Sequence, residues 1–304
     1  MKVSIIGAGN VGAQAAQAIL RRNIADVTLV DIIEGLAQGK ALDLGHAAVI
    51  EGCKNKIIGT TDFTQTQKSD IVVVTAGLTR KPGETRSELL TKNAKITKEV
   101  MEKIKTHAKN AIILMVTNPL DAMTYLAYKS SGLDRKRIFG MAGVLDTSRF
   151  KYVLSERFNV PHKDIEATIL GEHGDSMVIV PRLTVVKGMP LARMIPTDEI
   201  GELTACAKNS GAEIVALLKT SASYAPGAAI ACMVEAILTD SKKILPASAY
   251  LEGEYGLKDL CIGVPVRLGN SGIEEVIELK LEQEEKQALI RSAEKIKEDL
   301  GHLF

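Results

Sequence analysis

Short apolar runs separated by longer amphipathic stretches set the pattern of the first 140 or so residues. Val3 to Ile6, Asp26 to Val30, Asp70 to Thr75, Ala111 to Val116 and Arg137 to Met141 read as strands, with Ile57 to Gly59 a weaker one. The run Ile71-Val72-Val73-Val74 is continuous rather than alternating, which suits a parallel strand covered on both faces. The intervening segments predict helices from Gly12 to about Arg22, Glu34 to about Val49, Ser87 to about His107 and Leu120 to about Ser131. Strands alternating with helices predict an α/β fold with a doubly wound parallel sheet.

The pattern changes after Met141. Helices are expected from Gly143 to about Phe158, from Asp198 to about Lys219 with Thr197 as N-cap, and from Ala228 to Leu238. Met177 to Val186, Lys243 to Leu251, Leu260 to Val266 and Val276 to Leu279 read as strands. In the last stretch Leu289, Ala293, Ile296 and Leu300 form one apolar stripe on a charged helix. The expected organisation is residues 1–142 as one α/β domain and 143–304 as an α+β domain, meeting at a tight boundary and sharing one cleft.

Composition narrows the classes. Lys and Arg number 38 against 37 Asp and Glu, so no basic excess draws the chain to nucleic acid or an anionic membrane. Trp is absent and aromatics make up 4%, which leaves little for base stacking. Cys53, Cys206, Cys232 and Cys261 are far apart, so buried free thiols in a reducing compartment are expected and a metal site is not. Val3 to Ile6 stops at Gly7, too short for a signal-peptide core, and no later run is long enough to span a bilayer. The expected location is the cytoplasm.

The first strand leads into Gly7-Ala8-Gly9-Asn10-Val11-Gly12 and then a helix. In this G-x-G-x-x-G arrangement Gly7 permits the turn, Gly9 lets a pyrophosphate approach and Gly12 lets helix pack on sheet. The N–H groups at Asn10 and Val11 and the helix dipole favour phosphate. The second strand ends in Asp31, 31 − 12 = 19 residues past Gly12, placed to accept from a ribose diol and repel a 2′-phosphate. No Lys or Arg follows before Lys40, so NAD is favoured over NADP. Thr75-Ala76-Gly77 ends the strongest strand with small residues, where a cofactor could lie against backbone.

Other candidates sit at strand ends and turns. Arg80 and Arg86 flank Pro82-Gly83; six residues apart, they would lie about 240° apart on a helix but can converge on a loop. They read either as a solvated charged loop or as a lid carrying two forks for anionic oxygens. Asn118 follows a strand, where open parallel sheets bind ligands, and the Asn118–Pro119 bond is open to either isomer. Asp146 and Arg149 share a helix face, either as a surface ion pair or as a carboxylate for an imidazole and a fork for a substrate. His173 stands between Gly171 and Gly174, whose small size lets another molecule approach a ring that titrates near neutrality. His46 lacks such surroundings and reads as structural.

These motifs, taken in order, resemble the lactate/malate dehydrogenase family: Gly7 to Gly12, Asp31, the Arg80/Arg86 loop, Thr117-Asn118-Pro119, Leu145 to Arg149 and Gly171 to Ser176. The resemblance runs end to end and implies an NAD-dependent oxidoreductase acting on a small 2-hydroxy acid. It implies His173 as proton acceptor and donor, Asp146 on the ring's other nitrogen, Arg149 on the C1 carboxylate, Arg86 on the C2 oxygen and Asn118 on substrate. Asn93 and the Val116–Asn118 backbone would line the NAD site. Arg80 stands where lactate-using members usually carry Gln, implying a C4 carboxylate and thus malate or oxaloacetate. Ala222 stands where those members carry Thr, with Ser221 and Ser223 as alternative wall residues. The family also forms dimers and tetramers, implying a homo-oligomer. Two alternatives are less economical: an NAD sensor has no need of His173, Asp146, Arg149 and Arg86 together, and an NAD-dependent glycosidase needs a longer chain and a metal site.

Overall fold

The computed structural model describes residues 1–79 and 85–303, with all their side chains except that of Arg86. Arg80 therefore lies outside the described residues, as does the Arg86 side chain. The first half runs β1 (Lys2–Ile6), α1 (Asn10–Arg21), β2 (Asp26–Val30), α2 (Leu36–Ile50), β3 (Ile57–Thr60), β4 (Ile71–Val74), α3 (Arg86–His107), β5 (Ile112–Met115), α4 (Leu120–Ser131) and β6 (Ile138–Gly140). All six strands are parallel, in the order β3-β2-β1-β4-β5-β6. The reversal between β1 and β4 opens a crevice at the strands' C-terminal ends, where doubly wound sheets take ligands. Every residue of β4 and β5 is buried, as continuous apolar strands require.

The second half supplies α5 (Gly143–Phe158), then five two-residue strands: β7 (Ile165–Glu166), β8 (Ile169–Leu170), β9 (Val178–Ile179), β10 (Val185–Val186) and β11 (Met189–Pro190). Next come α6 (Thr197–Leu218), α7 (Tyr224–Leu238), β12 (Ile244–Glu252), β13 (Lys258–Gly269), β14 (Gly272–Val276) and α8 (Gln283–Gly301). The meander β12-β13-β14 is antiparallel and continues the large sheet, because Ser248 of β12 pairs with Gly140 of β6. One nine-stranded sheet therefore crosses the expected boundary. Its core is continuous too, joining Ile5, Val73 and Leu114 to Ile230, Ile262, Leu289 and Ile296. A smaller apolar cluster around Phe150, Leu154, Ile165 and Leu191 lies under α5 and α6.

Several expectations are corrected. Pro196, not Thr197, precedes α6 as its cap residue. The segment Met177 to Val186 is not one strand: a 3-10 turn over Pro181–Leu183 separates β9 from β10, because a proline cannot donate to a ladder. β14 ends at Val276, where a strand over Val276 to Leu279 was expected; the hairpin begins at the Asn270-Ser271 turn instead. α7 starts at Tyr224, ahead of Ala228, with Pro226 tolerated in its first turn. α3 begins at Arg86 under a reciprocal box between Thr85 and Glu88, a spacing readable in the sequence. Of the four thiols only Cys261 is buried, and Cys206 is exposed. His46 is exposed on α2, and the Asn118–Pro119 bond is cis.

Candidate active site

The glycine turn after β1 has the expected form. Gly7 has φ +106°, and a Cβ there would lie 2.7 Å from Thr75 Oγ1. A Cβ on Gly12 would strike the Gly7 carbonyl, whereas Gly9 has no atom within 4 Å of that position. The face beside Gly9 is therefore open to a ligand, and the packed faces belong to Gly7 and Gly12. α1 starts at Asn10 with no side-chain cap and no acid in its first turn, so its leading N–H groups are available to an anion. Val11 is half-buried beside them.

Asp31 follows β2 and faces this turn: its Oδ2 accepts from Ala8 N–H at 2.6 Å and its Oδ1 from Ile33 N–H at 3.0 Å. Lys40, remote in sequence, donates from Nζ to the Ala8 carbonyl at 2.7 Å. The structure thus brings a cation, as well as the carboxylate, to the rim of the turn.

Thr75, Ala76 and Gly77 follow β4. Thr75 Oγ1 donates to the carbonyls of Ile6 and Gly7, at 3.1 and 3.0 Å, tying β4 to the glycine turn. Val116 and Asn118 lie alongside, Asn118 exposed. Asn93 of α3 is fully buried and spends its amide on backbone: Oδ1 accepts from Leu78 N–H at 2.8 Å, and Nδ2 donates to the Leu78 and Asn118 carbonyls at 3.1 and 2.7 Å. It fixes the two strand-end loops relative to each other.

α5 begins near the seam between β6 and β12 and places Asp146 in its first turn, 2% exposed. Asp146 Oδ2 lies 2.8 Å from His173 Nδ1, and its Oδ1 accepts from Arg149 Nη1 at 3.2 Å. The helix-face pair and the glycine-flanked imidazole, 27 residues apart, thus form one cluster. Burial pulls His173 toward the neutral ring, but the charge and hydrogen bond of Asp146, with Asp121 adding, outweigh it and hold the pKa above the ordinary imidazole value. With Nδ1 on a carboxylate, Nε2 is the nitrogen left for proton exchange.

The loop bearing His173 is anchored from below. Gly171 has φ +88° and exchanges two main-chain hydrogen bonds with Gly263 of β13. A Cβ on it would sit 2.7 Å from Ser292 Oγ of α8, so its size serves this packing rather than ligand approach, as the sequence had suggested. Ser292 Oγ accepts from Glu172 N–H at 2.8 Å, and Ser176 donates to the Glu172 carboxylate. Two further groups were not singled out in the sequence. Asp121 of α4 accepts from His173 N–H, and Gly211 of α6 lies flat against the Arg149 guanidinium. An acid in the first turn of an otherwise apolar helix was the available signal for Asp121; Gly211 gave none.

Residues 1–140 match the family model described as lactate/malate dehydrogenase, NAD binding domain, and residues 143–304 the matching alpha/beta C-terminal domain. The chain belongs to the lactate/malate dehydrogenase family. It is an oxidoreductase with an NAD-binding domain, as the open turn at Gly9 and the uncapped α1 allow. Relatives in this family include the malate dehydrogenase of Methanosarcina barkeri, 48% identical over 303 residues and covering 99% of each chain. The solved malate dehydrogenase of Salinibacter ruber superposes with a TM-score of 0.96 at 47% identity, covering 100% of this chain and 97% of that one. A lactate dehydrogenase of Cryptosporidium parvum, solved with lactic acid and nicotinamide adenine dinucleotide, gives 0.95 at 38% identity over 99% and 96%. Both substrate classes of the family therefore share this fold. Among the described residues no helix is long and apolar enough to cross a membrane.

Proposed function

We propose that the chain is an NAD-dependent malate dehydrogenase, interconverting (S)-malate and oxaloacetate. The observation that carries this reading is the His173–Asp146–Arg149 cluster, in which one buried carboxylate holds both an imidazole and a guanidinium. Bound NAD supplies the acceptor for the C2 hydride. His173 Nε2 takes the C2 hydroxyl proton, and Asp146 stabilises the imidazolium that results. Arg149 grips the C1 carboxylate with both prongs. Arg86 polarises the C2 oxygen, and Arg80 pairs with the C4 carboxylate. Asn118 bonds to substrate. Gly7, Gly9, Asn10, Val11 and Gly12 cradle the pyrophosphate, Asp31 holds the ribose diol, and Thr75 to Gly77, Val116 and Asn118 border the cofactor, with Asn93 holding that border in place. Residues 1–142 act as the cofactor domain and 143–304 as the substrate domain.

Arg80 is the residue that separates malate from lactate chemistry. A cation facing the methyl group of pyruvate would be left unpaired, at a cost of roughly 2–5 kcal/mol, or tens- to thousands-fold in selectivity. Steady-state rates with oxaloacetate and pyruvate test this. The parent should strongly prefer oxaloacetate and Arg80→Gln should move preference toward pyruvate. Equal relative kcat/KM values before and after the substitution would rule the assignment out.

The same reading includes a cytoplasmic homo-oligomer. Leu42, Val49 and Ile50 on α2 are 64, 81 and 87% exposed, and the exposed Leu218 and Tyr224 line a groove with α1 and the other face of α2. So much exposed apolar side chain on adjoining elements favours a covering subunit. Sedimentation velocity tests this, and a monomer at micromolar concentration would contradict it.

A further inference from the structure

α4 is an apolar helix with one unexpected residue. Nine of its twelve residues are buried, and one of the nine is the carboxylic acid Asp121, 3% exposed. Burying a carboxylate costs several kcal/mol unless its oxygens are satisfied, and an apolar residue there would ordinarily stabilise the helix more. Both oxygens are engaged. Oδ2 accepts from the main-chain N–H of His173 at 2.8 Å, and Oδ1 accepts from Ser248 Oγ at 2.6 Å. Ser248 is the β12 residue that pairs with Gly140 of β6 at the seam of the large sheet. One side chain therefore ties the backbone of the histidine to the strand that joins the halves, while Asp146 holds the same residue by its ring.

We propose that Asp121 is a positioning residue for the dehydrogenase reaction, its carboxylate fixing the His173 main chain against β12 so that the imidazole is held from both ends. This rests on His173 being the proton-transfer group. Asp121 also acts through its charge, since it joins Asp146 in favouring imidazolium. The groups facing His173 are Asp146 and Arg149 from α5, Asp121 from α4 and Glu172 from its own loop. Those facing Asp121 are His173 and Glu172, Asp299 of α8, which lines the same small cavity, and Cys261 of β13. Burial pushes the Asp121 carboxyl up to about 6, against the hydrogen bonds from Ser248 and His173. Its charge is thus present above that value and is lost as the pH falls through it.

Three variants test the proposal. Asp121→Asn keeps an acceptor for His173 N–H and a polar partner for Ser248 while removing the charge. It should lower kcat for malate oxidation roughly tenfold and move the acidic limb of the kcat/KM profile to lower pH, with NADH affinity by fluorescence unchanged. Ser248→Ala keeps the charge and frees one arm, and should lower kcat by about threefold without moving the limb. An Asp121→Asn profile superimposable on the parent's with kcat within about twofold overturns the proposal, as does parallel loss of NADH binding and thermal midpoint. Should Asp121→Asn not fold, Ser248→Ala decides alone, and a kcat within about 1.5-fold of the parent's overturns it. His173→Asn is the separate control: full activity there sinks the assignment of the histidine itself, whereas normal Asp121 variants beside an inactive His173→Asn sink only the positioning role.

Discussion

Gly211 offers a substitution in which stability and activity should move in opposite directions. It lies inside α6, and a Cβ built on it would sit 3.2, 3.3 and 3.4 Å from Arg149 Nη2, Nη1 and Cζ. Comfortable contacts of this kind begin at about 3.5 Å, so Gly211→Ala must push the guanidinium plane away by roughly 0.1–0.3 Å. Both prongs move together, because the group is rigid and planar. A two-pronged grip on a carboxylate tolerates such a shift poorly, and a penalty of about 1–2 kcal/mol corresponds to roughly 5–30-fold in kcat/KM. The loss should fall mainly on the KM for oxaloacetate, followed by NADH absorbance, with NADH affinity unaltered. The helix itself gains, since Ala is favoured over Gly in a helix interior by about 1 kcal/mol. The thermal midpoint should therefore hold or rise while activity drops. An unaltered KM, or a midpoint that falls in step with activity, would refute this account of how Arg149 is placed.

Asp146→Asn removes the charge that outweighs burial at His173, so the ring's pKa should fall below its present raised value. Malate oxidation needs the neutral ring, so the acidic limb of its kcat/KM profile should move to lower pH while kcat drops by on the order of a hundredfold or more; a profile with an unmoved limb would count against the pairing. Asp31→Ser, which leaves Lys40 beside the glycine turn, should raise the NADPH-to-NADH ratio of kcat/KM by roughly tenfold or more. An unchanged ratio would show that another group sets the cofactor preference.

The first half could be read from its sequence because its physics is local. Buried parallel strands give unbroken runs such as Ile71 to Val74, and the glycines at 7, 9 and 12 mark a turn with few alternatives. The region between α5 and α6 resists such reading because its strands are two residues long and their pairing is set by remote partners, as Val186 with Ile165 and Gly171 with Gly263. The site shows the same division. His173, Asp146 and Arg149 are recognisable by residue type and neighbours. Asp121 and Gly211 act through contacts 52 and 62 (211 − 149) residues away, which no short-range spacing encodes.

The continuity of the large sheet across β6 and β12 has a consequence for how the molecule comes apart. Cutting the gene after Gly140 would not release two self-sufficient pieces. The upstream fragment would carry a bare ladder edge and a greasy α4 stripped of its cover, and the downstream one a hairpin searching for its neighbour. Such fragments are better suited to complementing each other, or to sticking to strangers, than to folding alone. The unit that folds is accordingly the whole chain.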